Sequence, residues 1–375
     1  MILGNIAASE VEIQMATSSN STVGIREGLV AGLKRVPNLT LFRNAWQVAF
    51  ALFVLYVGWR FYLFVAQFIT STPAQTAVPT PAVPRPPAVE GFLPISALMG
   101  LKLWITTGIF DPIHPAGLVL LTTIISISLL FKKAFCSWLC PVGTLSEFLG
   151  RAGAWFFGRN LSLPDWLDYP LRALKYLVLA FFIQIIIIDM DSFSIASFLG
   201  APYNKIADVK MLRFFLRPSQ TTIYIVVSLA IASILVRNFW CRYLCPYGAL
   251  LGLASLVSPL KVRRDDSACT HCGKCARVCP NRIPVDKLAT VQTPECTACL
   301  DCVAACPARG ALSVRLPART QERRIAVSGW VFATLVLGVF FGAIILAQVI
   351  GHWQTAVSMD EFAQLIPQGD RFLHF

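Results

Sequence analysis

Long apolar runs separated by short basic stretches dominate the chain. A bilayer span needs roughly 20 mostly apolar residues. Five segments approach or exceed that length: residues 45–69, 116–131, 176–190, 221–236 and 325–350. The second, third and fourth are short and need flanking residues to complete a crossing. A sixth apolar stretch, residues 92–107, carries Lys102 and is too short to cross comfortably. Treating it as a span would also put Lys132 and Lys133 outside, so it reads as re-entrant or interfacial. Residues 71–87 are proline-rich and read as a semi-rigid extended linker. Residues 209–217 mix apolar and basic positions as an amphipathic helix on a membrane surface does.

Composition agrees with a membrane protein. Charged residues make up 14% and hydrophobic ones 56%, with a mean hydropathy of +0.64; a soluble domain carries about 25% charged residues. The net charge of +12 is scattered among the apolar segments, which argues for the flanks of spans and against a nucleic-acid footprint. With the N-terminus inside, only Arg85, Lys102, Lys205, Lys210, Arg213, Arg217 and Arg371 fall outside, and Arg60 falls within the first span. Lys and Arg favour the cytoplasmic side, so the chain is expected in a bacterial inner membrane as a multi-pass protein with a periplasmic C-terminus. The basic loop 205–217 runs against that bias. The pairs Arg263-Arg264 and Arg323-Arg324 read as topology anchors, and the first 40 residues show no cleavable leader.

All 12 cysteines lie in tight clusters. Cys269, Cys272, Cys275 and Cys279-Pro280 form one run, and Cys296, Cys299, Cys302 and Cys306-Pro307 a second. This is the bacterial two-cluster ferredoxin spacing, in which the fourth cysteine of each run serves the other cluster. Two [4Fe-4S] clusters follow: one on Cys269, Cys272, Cys275 and Cys306, the other on Cys296, Cys299, Cys302 and Cys279. Zinc favours paired C-x-x-C units and suits the third cysteine poorly. His271 lies between two ligands and reads as a neighbour of the cluster.

The remaining four cysteines sit in an internal repeat. Residues 135–145 (FCSWLCPVGTL) match 240–250 (WCRYLCPYGAL), each copy following a span and a basic residue. Cys136, Cys140, Cys241 and Cys245 therefore fall at one depth, on the cytoplasmic rim. A proline after the second cysteine suits the first turn of a new helix, which puts Cys140 and Cys245 at helix N-caps. The four read as a further cluster, another metal site or a thiol redox pair, against the plainer reading of buried small hydrophobes.

The expected fold is an all-α polytopic membrane protein of about five transmembrane helices plus a re-entrant segment, with an inserted α+β 2[4Fe-4S] ferredoxin-like domain. Residues 1–44 form a cytoplasmic N-terminal segment and 45–260 the membrane domain with the two Cys-x-x-x-Cys-Pro repeats. Residues 261–318 form the ferredoxin-like domain on the cytoplasmic side, 319–350 the last transmembrane helix and 351–375 a periplasmic tail.

In order and content, residues 91–95 (GFLPI), 132–141 (KKAFCSWLCP), 240–247 (WCRYLCPY) and 282–288 (RIPVDKL) resemble the NapH-like membrane polyferredoxins. That group includes the membrane quinol dehydrogenase component of periplasmic nitrate reduction and the membrane part of NosR; the copper-oxidase assembly protein CcoG is a more distant relative. The resemblance runs from about residue 45 to the last span. It implies electron passage between the quinone pool, the clusters and a redox partner such as a c-type cytochrome or a ferredoxin subunit. Neither the flavin-binding domain that precedes the first span in NosR nor the folded periplasmic domain that follows the last in CcoG is expected here.

Haem b needs two axial ligands inside spans, and none of His114, His271, His352 and His374 is mid-span. A quinol oxidation site needs a proton acceptor, and His titrates in the right range. His114, with Asp111 beside it, is the candidate at the outer face, against the plainer reading of a surface-loop histidine. Arg60 inside a span is a functional-site candidate or a side chain snorkelling to the interface. Three functions fit: an electron-transfer component of the quinol dehydrogenase type, a cytoplasmic-side metal (copper) reductase, and a maturation or regulatory factor for a respiratory metalloenzyme.

Overall fold

The computed structural model describes residues 39–69, 83–308, 310–316 and 325–372. The chain divides into Met1–Phe42, of which only the start of the first helix is described, and Arg43–Phe375, which carries everything below. The N-terminal segment up to residue 38, most of the proline-rich linker and the Arg323-Arg324 pair lie outside the described residues.

Among the described residues, three helices are long and apolar enough to cross a membrane. The first is α1 (Leu39–Ile69). After a short 3-10 turn at Pro87–Phe92 come α2 (Pro94–Thr107) and α3 (Pro115–Phe131). At 17 residues, α3 is about 25 Å long, short of a core roughly 30 Å thick. The short helix α4 (Ala134–Trp138) leads to α5 (Pro141–Phe157), and α6 (Asp165–Ile183) is the second long helix.

α6 runs on as a π-helical segment, Gln184–Asp189. Its carbonyls are taken up by Lys102 of α2, whose ammonium donates to Ile186 O at 3.1 Å, Ile187 O at 2.9 Å and Met190 O. The lysine that argued against a span at residues 92–107 thus caps a neighbouring helix, where a cation is favoured.

Next come α7 (Ser192–Gly200), α8 (Ala207–Leu216) and α9 (Gln220–Leu235). The last two are bent by 77° at Arg217-Pro218-Ser219, where proline cannot continue a helix and Ser219 caps the next one. Counted as one broken span, the pair brings the candidates to four. The five expected spans thus resolve into three full-length helices and two short ones, α3 and α9.

A π-helical turn, Trp240–Leu244, precedes α10 (Pro246–Ala254). The internal repeat is therefore structural: α3, α4 and α5 correspond to α9, the Trp240–Leu244 turn and α10.

In the ferredoxin-like domain, β1 (Lys261–Arg264), β2 (Leu312–Arg315) and β3 (Ala326–Val327) form an antiparallel sheet in that order, with Val262 opposite Val314 and Val314 opposite Val327. Two short helices, α11 (Lys274–Val278) and α12 (Asp301–Ala304), each lie within a cysteine run. The sheet reaches past the expected boundary at 318. Ala326 and Val327 pair with β2, so the last long helix, α13 (Gly329–Val349), starts at Gly329 behind a Ser328 cap and not at residue 325.

The C-terminal tail is packed. Through α14 (Met359–Leu365) it places Val357, Phe362 and Ile366 in one buried cluster with Phe61, Phe64 and Phe68 of α1 and Val209 of α8. Phe64 and Phe362 meet edge to face at 5.4 Å. Lys205 pairs with Glu361, Lys210 donates to Phe372 O, and Arg213 donates to Ile366 O at 3.0 Å. The amphipathic helix expected on the membrane surface is clamped by the chain's own tail.

Candidate metal centres

The two ferredoxin runs share a backbone pattern. His271 and Gly273 have φ of 51° and 65°; Ala298 and Leu300, at the same places in the second run, have 50° and 63°. These left-handed residues curl each loop around its cysteines. A cavity is lined by Cys279, Cys296, Cys299 and Cys302, with Val262, Ile283, Val285 and Val291 as its apolar wall. One cysteine of the first run thus shares a space with three of the second. In the converse pair, Cys306 is near enough to Cys275 to add to the effect of burial in raising that thiol. Burial also pushes the Cys299 and Cys302 thiols well up, so proton loss there calls for a metal. Among the described residues, no three His, Cys, Asp or Glu side chains converge tightly enough for a single ion. A cubane spreads its thiolates over four irons, and an apolar pocket with four sulfurs on its wall suits it.

The rim thiols repeat one arrangement. Cys140 caps α5, its sulfur accepting from Gly143 N at 3.4 Å, and Cys245 caps α10, accepting from Gly248 N at 3.2 Å. A Cβ at Gly143 would collide with the Cys136 carbonyl oxygen, so only glycine lets α5 start so close to its own motif. The other three rim thiols are close enough to act on Cys241 electrostatically. Burial, then Cys140, Cys245 and Cys136, raise the Cys241 thiol, and burial pushes Cys140 up to about 11. Ser146 Oγ faces Cys241, and the half-buried Tyr247 is close enough to Cys136, Cys140 and Cys245 to feel their charge.

Lys132 and Lys133, the basic pair that follows α3, are buried at 1% and 3% exposure. Burial works against the charge of Lys133, but Glu295 and the sulfurs of Cys136 and Cys241 outweigh it and hold this lysine above its ordinary range. Lys175 of α6 meets the same Glu295 at 2.6 Å.

The rim motif and the second ferredoxin run are joined directly. Ser137 Oγ donates to Thr297 O at 2.6 Å, Trp138 Nε1 to Ala298 O at 3.2 Å and Lys132 Nζ to Thr293 O at 3.1 Å. Arg43 of α1 closes the joint. Its guanidinium, fully buried, pairs with Glu147 of α5 at 2.8 Å and Asp301 of α12 at 3.1 Å, while Gln47 donates to Glu147 and to Ser137 O. Sequence reasoning passed over Arg43, Glu147, Lys175 and Glu295. Their signal was a lone charge beside or within an apolar run, which calls for a buried partner.

His114, Asp111 and Arg60 come out differently. His114 is not a surface-loop residue: it is 1% exposed, with Nε2 2.7 Å from Asn204 O and Nδ1 3.7 Å from Glu90 Oε1. Glu90 also accepts from Arg85 at 2.7 Å and from Gly117 N at 2.9 Å, and Arg85 pairs with Asp208 at 2.7 Å. Asp111 is buried against Gly100, with Oδ1 accepting from Ile113 N. Burial raises its carboxyl. Burial opposes the charge of His114, and Glu90 outweighs it and raises the imidazole. This network locks the Pro87–Phe92 turn, α3 and α8 together, with His114 buried inside it. Arg60 is half-buried in α1, about two and a half turns before its end, apart from both thiol sites.

Known proteins match along the same lines. A "4Fe-4S binding domain" family matches twice, over residues 113–164 and 219–264, each match taking in one rim repeat. A "4Fe-4S dicluster domain" family matches residues 261–307. "Putative electron transport protein YccM" of Escherichia coli (strain K12) is 47% identical over 339 residues, 90% of this chain and 93% of its own length. "Regulatory protein NosR" of Stutzerimonas stutzeri is 32% identical over 44% of this chain and 22% of its own. "Ferredoxin-type protein NapH" of Escherichia coli (strain K12) is 27% identical over 48% and 61%. No solved structure matches.

Proposed function

We infer from the fact that this chain belongs to the NapH/NosR-type family of membrane polyferredoxins a specific electron path through it. The protein is a membrane-bound iron–sulfur electron-transfer protein. In our reading, electrons from the quinone pool enter at the rim on the cytoplasmic side of the inner membrane, pass through the two ferredoxin-type sites and leave to a redox partner, with the C-terminus in the periplasm.

Two [4Fe-4S] clusters would be held by Cys279, Cys296, Cys299 and Cys302 and by Cys269, Cys272, Cys275 and Cys306. Cys136, Cys140, Cys241 and Cys245 would hold a third sulfur-ligated centre. Such groups supply one-electron chemistry when bound. The chain's own residues fix their spacing and surroundings. Val262, Ile283, Val285 and Val291 keep water from the second-run site. Lys133 and Lys175 set positive charge beside the rim thiols, and Glu295 balances it. The single observation that carries the reading is the junction itself: the rim motif donates through Ser137 and Trp138 to the loop between Cys296 and Cys299. That contact supports a short step from the rim motif to the second-run site, and the apolar core need not be crossed in one hop if quinol is oxidised at the inner leaflet.

The test is made on purified full-length protein in detergent: iron and sulfide content, EPR after chemical reduction, and EPR after adding a quinol. Two coupled cubane signals, reduced by quinol, are expected. Protein that holds its fold yet carries no iron would overturn the cluster reading, and clusters untouched by quinol would overturn the donor.

A further inference from the structure

The two ferredoxin runs are equivalent in backbone but not in surroundings. In the second run, Thr297 and Ala298 give their carbonyls to Ser137 and Trp138, and Asp301 gives its carboxylate to Arg43 at 3.1 Å. Counted from the first cysteine of each run, the equivalents in the first are Thr270, His271 and Lys274. The loops turn alike, with φ of 51° at His271 and 50° at Ala298. Yet Ala298, Leu300 and Asp301 are buried, whereas Thr270, His271, Cys272 and Lys274 are exposed, and Cys272 is the one exposed cysteine of the 12.

The charges are also exchanged. Where the second run has Asp301, which meets an arginine, the first has Lys274. Where the second has Ala304, the first has Arg277, exposed and donating to Cys272 O at 3.0 Å. Arg264 stands at the same edge, 3.4 Å from His271 Nδ1 and 3.7 Å from Cys269 Sγ, with Asp266 paired to it at 2.7 Å.

The geometry points to the exposed face around Cys272 as the docking surface of a small water-soluble electron carrier that presents carboxylates to Lys274 and Arg277. The domain already makes one joint of this design on its other side, where Arg43 meets Asp301. The free face offers the same loop with the sign reversed. Docking there would set a partner's centre against the most exposed ligand of the first-run cluster, while the second-run cluster stays on the membrane side. Encounters of this kind are small, steered by charge and weakened by salt. The inference rests on the iron–sulfur reading above.

The experiment uses the full-length protein in nanodiscs of neutral lipid, with an acidic flavodoxin as probe and a basic c-type cytochrome as control. Flavodoxin binding is measured at low and at raised salt for the wild type and for the double variant Lys274→Glu/Arg277→Glu. EPR of the reduced protein checks that both clusters are intact. The wild type is expected to bind flavodoxin in a salt-sensitive way, and the double variant to lose about tenfold or more in affinity with unchanged cluster signals. Flavodoxin that does not bind the wild type, binding indifferent to the charge reversal, or binding of the basic cytochrome at this face in its place overturns the proposal. Absence of cluster signals in the wild type would instead count against the iron–sulfur reading, so the two failures are distinguishable.

Discussion

The indole N–H of Trp138, within the first rim motif, donates to the carbonyl of Ala298, within the second ferredoxin motif, at 3.2 Å, and both residues are buried. Through this contact the membrane domain reads the conformation of a cluster-binding loop. Trp138→Phe keeps most of the ring's packing but leaves the carbonyl unsatisfied, at a cost of about 1–3 kcal/mol. A lower melting temperature is expected, with the EPR signal of the second-run cluster lost first on warming. Equal loss of both signals would show that the bond does not serve that loop.

Cys279 belongs by sequence to the first run but lines the cavity of the second. Cys279→Ala is therefore expected to remove chiefly the cluster on Cys296, Cys299 and Cys302 while the other remains. EPR and iron content decide it, and selective loss of the first-run cluster would refute cross-ligation.

Cys136→Ser and Cys241→Ser, singly and together, test the rim centre. Because the other three rim cysteines are close enough to act on Cys241, either single change is expected to abolish quinol-driven cluster reduction. Chemical reduction of the two ferredoxin-type clusters should be unaffected. Full metal content and full quinol response in the double variant would make these cysteines structural.

The Glu147 carboxyl is held down at about 2 from an ordinary 4.5: burial pushes it up, and the Arg43 hydrogen bond and charge, with Arg151 and Gln47, more than reverse that. A depressed carboxyl stabilises the fold fully above its unfolded value and loses that contribution as pH falls through the folded one. The joint should therefore weaken between pH 4.5 and about 2, by about 3 kcal/mol in all. Melting temperatures of wild type and Glu147→Gln in detergent should converge across that window. Parallel curves would show that Glu147 does not carry this dependence.

The orientation is tested by fusion after Phe375. An export-dependent reporter such as alkaline phosphatase is expected to be active there, and one that works only in the cytoplasm inactive. The reverse pattern would invert the topology and the side on which the clusters lie.

Local chemistry was legible in the sequence, and distant pairing was not. The ferredoxin spacing, the internal repeat and the thiol caps at Cys140 and Cys245 each depend on residues a few positions apart, and these sequence features announce them directly. Arg43 meets Asp301 across 258 residues and Lys175 meets Glu295 across 120. No periodicity encodes such partners, only the improbability of a lone charge in an apolar run. His114 read as a loop histidine because Asp111-Pro112-Ile113-His114-Pro115 is turn-like; its burial comes from Glu90, Arg85 and Asn204, supplied by other elements. The helices match or exceed their apolar runs except α13, which starts at Gly329 behind its Ser328 cap because Ala326 and Val327 pair with β2, and β3 was invisible because two residues carry no pattern.

The clamp between α8 and the tail bears on the order of biogenesis. Lys205, Lys210 and Arg213 find Glu361, Phe372 O and Ile366 O 153 to 162 residues further along the chain. A ribosome makes those cations long before it makes their partners. Throughout that interval the loop is a nascent basic segment without its carboxylate, and the insertion machinery must hold it against the usual charge bias. Glu361 supplies the one countercharge, and the carbonyls of Ile366 and Phe372 take up the other two cations, so this basic stretch is held by a segment made long after it.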